Sequence, residues 1–108
     1  MAFFNITATI GIDRLDNVES SLRKAGVPGV SITKVRGYGQ YKNFFQRDFL
    51  TTHARIQIYA PDDRIDAIVE AIMGAAHTGA ESDGVIVVSP IAKMYRIDDR
   101  REAKPEDF

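Results

Sequence analysis

The sequence predicts an α+β fold, in which one four-stranded antiparallel sheet carries two helices on one face. Three observations lead there. Phe4, Ile6, Ala8 and Ile10 alternate with Asn5, Thr7 and Thr9, and Ile56 and Ile58 alternate with Arg55, Gln57 and Tyr59; this is the two-residue period of half-buried strands. Leu15, Val18, Leu22 and Ala25, and again Ile65, Ile68, Val69, Ile72 and Ala76, recur at three- and four-residue steps, which marks amphipathic helices. The order strand–helix–strand occurs twice around a long loop. Two such split units make a βαββαβ sandwich, the ferredoxin-like arrangement.

Each element has its own signals. Gly11 ends the first strand, Asp13 or a neighbour is expected to cap the first helix, and Gly26 and Pro28 stop it. Val30, Ile32 and Val35 open the second strand, and Gly37-Tyr38-Gly39 breaks it. Residues 40–52 have no clean period and cluster Tyr41, Phe44, Phe45 and Phe49 with Lys42, Arg47 and Asp48, as expected of a protruding loop or a hairpin extension whose aromatics contact a partner or pack against a neighbouring subunit. Pro61 closes the third strand, and Asp62 and Asp63 stand where the second helix wants a cap and negative charge. Residues 78–84 then lead into the apolar run 85–88, after which Pro90 predicts an edge strand or a strand end. Residues 91–97 are expected to form a short strand or turn. The domain is read as 1–97, followed by a charged, non-periodic tail at 98–108, mobile or docked on a partner subunit.

Composition bounds the function. The chain has 108 residues, enough for one domain with a real core, and its net charge of −1 supplies no field for nucleic acid or an anionic membrane. It has no cysteine, which excludes disulfides, thiolate zinc sites and a cysteine nucleophile and suits a cytoplasmic protein. No apolar run approaches the roughly 18 to 20 residues that span a bilayer, and no signal peptide is expected. The apolar last strand and Phe3 leave an open sheet face with little polar surface, for which oligomerisation is the remedy.

No catalytic signature is present, and no metal spacing links His53 with His77. The Arg of Gly11-Ile12-Asp13-Arg14 has too little glycine around it for an acylphosphatase phosphate loop. Tyr59 and Phe3 do not make an RNA-binding face. Phosphate binding is the better-supported chemistry, since backbone N–H groups of glycine-containing loops hold anions without net charge. Two such loops exist, at Gly37-Tyr38-Gly39 and at residues 78–84, and Arg96, Arg100 and Arg101 can neutralise phosphates.

Val35-Arg36-Gly37-Tyr38-Gly39, Asp48-Phe49-Leu50, Ile56-Gln57-Ile58, Ala60-Pro61-Asp62-Asp63, Ala76-His77-Thr78-Gly79 and Asp83-Gly84 are together specific. On these residues the chain resembles the PII family of signalling proteins over nearly its whole length. The resemblance implies a ferredoxin-like homotrimer with adenine nucleotide in clefts between subunits. The 40–52 segment would be the partner-contacting T-loop and 78–84 the phosphate-side B-loop, with the C-terminal segment closing the cleft from the neighbouring subunit. It implies a nucleotide site of Ser31, Gly37, Tyr38, Gly39, Gln57, Tyr59, Thr78, Gly79, Ser82, Asp83, Gly84, Arg96, Arg100 and Arg101. A second-ligand site would lie at Gln40, Tyr41, Lys42 and Arg47. Neither catalytic nor metal-binding residues are implied.

The departures from the family pattern change the expected ligand. Ser31 replaces a threonine near the adenine, Ser82 a B-loop glycine, and Val85 the phosphate-binding lysine. Asp98 stands where a second arginine belongs, with Arg100 or Arg101 as substitutes. Tyr41 replaces the glutamine that helps to hold Mg-ATP and 2-oxoglutarate, and His53 stands near a lysine used for 2-oxoglutarate. The T-loop is several residues shorter and has no match for the uridylylated tyrosine. These changes remove positive charge around the terminal phosphates, and a triphosphate loses most by that. The expectation is a non-standard PII-like regulator that favours ADP or AMP over ATP. Bicarbonate is its candidate second ligand, as in PII-like proteins of inorganic-carbon uptake and carboxysomes, and a transporter or other regulated protein its T-loop partner. The alternatives are a classical ATP/2-oxoglutarate nitrogen regulator, a structural trimer with a decayed site, and a slow nucleotide hydrolase.

Overall fold

The computed structural model describes residues 2–37 and 51–108. In chain order it contains β1 (Phe3–Gly11), α1 (Leu15–Lys24), β2 (Ser31–Gly37), β3 (Thr51–Pro61), α2 (Ile65–Ala76), β4 (Gly84–Ile91), β5 (Tyr95–Arg96) and β6 (Arg101–Glu102). The first four strands make one antiparallel sheet in the order β2-β3-β1-β4. This is the ferredoxin-like arrangement that the βαββαβ order predicts. Pro90 lies in β4, an edge strand of the sheet, where proline is best tolerated.

Strand alternation decides which side is core. Ile6, Ala8 and Ile10 of β1 and Ala54, Ile56, Ile58 and Ala60 of β3 are buried against Val18 and Leu22 of α1 and Ile68, Ile72 and Ala76 of α2. Their register partners sit side by side, Ile6 with Ile58 and Val88, and Ala8 with Ile56 and Ile86.

The helices are tied by a reciprocal pair of arginines that end matching turns. Short 3-10 turns, Ile12–Arg14 and Asp62–Arg64, lead into α1 and α2. Arg14 Nε and Nη2 donate to the Ala75 carbonyl at 3.0 and 2.8 Å, near the end of α2. Arg64 Nη2 donates to the carbonyls of Ala25 and Gly26, at 3.4 and 3.2 Å, just past the end of α1. Each helix start therefore neutralises the carbonyl-rich end of the other helix. The expected caps at Asp13, Asp62 and Asp63 are corrected: neither 3-10 turn nor either α-helix has a side-chain cap bond at its start. The acids instead lie in the first turns, where only the dipole is answered.

Two further expectations are sharpened. Residues 51 and 52, read as part of a protruding loop or hairpin extension, belong to β3 because they pair with Gly37 and Arg36 of β2; the 40–50 part of that segment lies outside the described residues. The 98–108 tail is not without structure. It contains β6, which pairs with β5, and a 3-10 turn at Pro105–Asp107, while Ala103 is buried. Phe108 packs on Phe3 with ring centroids 5.2 Å apart.

Candidate functional site

The backbone brings two of the predicted segments to one end of the sheet. Gly37 pairs with Thr51 and Val35 with His53; His53 also pairs with Gly11, and Ile10 pairs with Gly84. The ends of β2 and β3 that flank residues 38–50 therefore adjoin the 78–84 loop. His53 joins them directly. It is 3% exposed, and its Nε2 lies 3.2 Å from the Ser82 carbonyl.

The 78–84 loop is seated by its own chemistry. Gly84 has φ +112, and a Cβ there would lie 1.8 Å from the Thr9 carbonyl oxygen of β1, so only glycine allows this approach. Gly79 also has positive φ, +93. Asp83 folds back on the loop's start: its Oδ2 accepts the N–H of Thr78 at 2.7 Å and of Gly79 at 2.9 Å, while Thr78 Oγ1 donates to Oδ1. Ala80 N–H donates to Thr78 Oγ1 at 3.3 Å, and His77 Nδ1 lies 3.6 Å from Asp83 Oδ2. The Thr78 hydroxyl, followed by its N–H, holds the Asp83 carboxyl below its ordinary value. The simple picture of these amides as an open phosphate cradle is thus corrected: those of Thr78 and Gly79 already hold an internal carboxylate. Beside the loop, a cavity of about 460 Å³ opens between α2 and the β1–β4 edge, lined by Thr9, Met73, His77, Asp83 and Val85 among others.

Ser31, Gln57 and Tyr59 lie elsewhere, on the sheet face away from the helices. Ser31, Gln57, Thr7 and Val87 form one row across all four strands, and Tyr59 pairs with Asn5 in a neighbouring row. The open face is less apolar than expected. Val87 and Tyr59 are exposed on it, but polar Asn5, Thr7 and Gln57 lie between them, and Ile86 and Val88 turn towards the helices.

The predicted arginines are at the opposite end. β4 carries the chain from Gly84, beside Ile10, to Ile91, beside Phe3, about 23 Å at a strand's rise of about 3.3 Å per residue. There β5 and β6 set Arg96 directly opposite Arg101. Arg96 donates from Nε and Nη2 to Asp98 at 3.0 and 2.6 Å, and from Nη1 to Asp107 Oδ1 at 3.4 Å. Arg101 donates from Nη2 and Nη1 to the two oxygens of Asp107 at 2.8 and 3.1 Å, with Asp99 Oδ2 3.3 Å from its Nε. The bonds from Arg101 and the Lys104 N–H hold Asp107 well below the usual carboxylate range, and Asp98 raises Arg96. Arg100 sits in the turn with φ +55 and is not the partner of Arg96; Arg101 is.

One chain therefore assembles the loop end and the arginine end separately. Tyr38, Gly39, Gln40, Tyr41, Lys42 and Arg47 lie outside the described residues. Sequence reasoning missed Asp107 and the His53–Ser82 bond. A carboxylate in a charged tail carries no periodic signal, and a strand histidine shows its partner only once the loop is folded over it. Among the described residues no group of histidine and acidic side chains could hold a metal ion, and no helix is long and apolar enough to cross a membrane.

Comparison with known proteins agrees with this architecture. The family model described as nitrogen regulatory protein P-II matches residues 3–102. The chain is 37% identical to the nitrogen regulatory protein P-II of Cereibacter sphaeroides over 100 residues, covering 85% of this chain and 88% of that protein. Nitrogen regulatory protein P-II 1 of Escherichia coli K12 is 35% identical with the same coverage. The crystal structure of Arabidopsis thaliana PII bound to citrate superposes with a TM-score of 0.80 at 25% identity, over 94% of this chain and 86% of that one. The chain belongs to the nitrogen regulatory protein P-II family.

Proposed function

We propose that this P-II protein, a regulatory signal transducer and not an enzyme by its family, senses adenine nucleotides in clefts between the subunits of a homotrimer. One observation carries the reading: the 78–84 loop and the Arg96–Arg101 pair stand at opposite ends of β4. Both can meet one ligand only if they come from different copies of the chain. The nucleotide then bridges subunits, with Gly37, Ser82, Asp83 and Gly84 on one side and the arginines on the other. The row Ser31, Gln57 and Thr7, with Tyr59 beside it, provides a shallow polar face for the base. Ligand at the loop acts on the 40–52 segment through His53, which follows that segment and bonds Ser82.

A preference for ADP or AMP over ATP is supported by Val85, 42% exposed and apolar where the family resemblance implies a lysine. Asp98 adds to it by occupying two donors of Arg96. A small anion such as bicarbonate is the proposed second ligand, and a cytoplasmic regulator of a transporter or similar protein is the proposed setting. The competing reading, a classical ATP and 2-oxoglutarate sensor, is favoured by the similarity to nitrogen regulatory proteins. Calorimetric titration with ADP, AMP, Mg-ATP, 2-oxoglutarate and bicarbonate separates the two. The proposal expects ADP or AMP to bind more tightly than Mg-ATP, with no gain from 2-oxoglutarate. Tight Mg-ATP binding enhanced by 2-oxoglutarate establishes the classical reading instead, and no nucleotide binding at all leaves a structural trimer.

A further inference from the structure

Arg96 and Arg101 face each other across the β5–β6 pair, a placement of two like charges that is unfavourable unless an anion lies between them. Here the anion is the chain's own. Asp107 accepts Arg96 Nη1 on Oδ1 at 3.4 Å, Arg101 Nη2 on the same oxygen at 2.8 Å, and Arg101 Nη1 on Oδ2 at 3.1 Å. Its side chain is only 13% exposed. Two guanidinium groups converging on the oxygens of one small anion is also the geometry that takes a phosphoryl group.

Asp98 and Asp107 differ in how they can leave. Asp98 is two residues from Arg96 and travels with the hairpin. Asp107 reaches back from a separate segment, fixed by a few contacts. Lys104 N–H donates to its Oδ2 at 2.8 Å, and its own N–H donates to the Lys104 carbonyl at 2.9 Å. Phe108 then packs on Phe3 and lines a small cavity with Val27, Pro61 and Arg64. Lifting residues 104–108 breaks no strand pairing of the four-stranded sheet.

We propose that residues 104–108 are an autoinhibitory latch, in which the Asp107 carboxylate occupies the Arg96–Arg101 site and a nucleotide phosphate must displace it. This rests on the nucleotide reading above. The latch sets a threshold for binding: occupancy of the site is coupled to release of residues 104–108 and of Phe108 from Phe3.

The test uses the whole chain, ADP as the probe, and Asp107→Asn, Phe108→Ala and Arg96→Ala variants. Asp107→Asn removes the competing charge, and Phe108→Ala loosens the latch without touching either arginine. Each is expected to tighten ADP binding, Asp107→Asn by roughly three- to tenfold. ADP is expected to speed hydrogen exchange at residues 103–108 of the wild type. Tightening in Asp107→Asn, or in Phe108→Ala should Asp107→Asn not fold, supports the latch. Equal or weaker binding, or slower exchange at 103–108 with ADP, overturns it. If Arg96→Ala weakens ADP binding while neither latch variant tightens it, the latch alone fails. If Arg96→Ala changes nothing, or no variant binds ADP, the nucleotide reading fails with it.

Discussion

The 78–84 loop and the β5–β6 hairpin both gather anion-binding groups, and in both a carboxylate of the same chain already sits among them. The resemblance ends there. Asp83 lies within five residues of the N–H groups and hydroxyl it accepts, so it shapes the loop and cannot be exchanged for a ligand without unmaking it. Asp107 lies six and eleven residues from the arginines it joins and comes from a separate turn. It fills a site formed by other residues. An internal anion can thus be part of a binding site's scaffold or a competitor for it, and the span of chain that it closes tells which.

The largest effect that would break the comparison is expected at the loop's seat. Gly84→Ala drives a methyl group into the Thr9 carbonyl of β1 at a φ of +112, at a cost on the order of 3 kcal/mol. Thermal unfolding should fall by about 10 °C or more. An unchanged melting temperature would mean that the loop is not seated as described. Next comes the contrast in sign between the two aspartates. Asp83→Asn should weaken ADP binding by roughly tenfold, since charge-assisted bonds that fix the loop are lost, whereas the latch variant at Asp107 tightens it. Titrating both in one buffer is decisive: two changes of the same sign would erase the distinction. The smallest effect is on acid stability. Both carboxyls are held below their ordinary value of 3.8, so their stabilisation is complete above that pH and is lost as pH falls through their lower folded values. Melting curves from pH 7 to pH 2 should show wild-type stability dropping below about pH 4. The drop should be shallower in Asp83→Asn and in Asp107→Asn; equal slopes in all three proteins would remove both groups from the account.

Legibility followed how local each interaction is. The α2 stripe from Ile65 to Ala76 and the alternation in β1 are repeats within one element, and the stripe falls inside the α2 helix of Ile65–Ala76. Strand pairing was not local. Thr51 and Thr52 belong to β3 because Gly37 and Arg36 of β2 pair with them, which no property of Thr51 announces. The caps failed for a related reason. Asp13 and Asp62 have the right chemistry at the right place, yet each helix is bracketed by an arginine from the start of the other.

By itself the sequence determined the sandwich, the loop glycines and the family, because periodicity and turn chemistry act over a few residues. Only the tertiary structure decided that the 78–84 loop and the arginines stand at opposite ends of β4, that Arg101 and not Arg100 stands beside Arg96, and that Asp83 accepts the loop amides while Asp107 accepts both arginines. Those facts depend on strand register and on where the chain returns, and charge makes contacts at distances that sequence spacing does not encode.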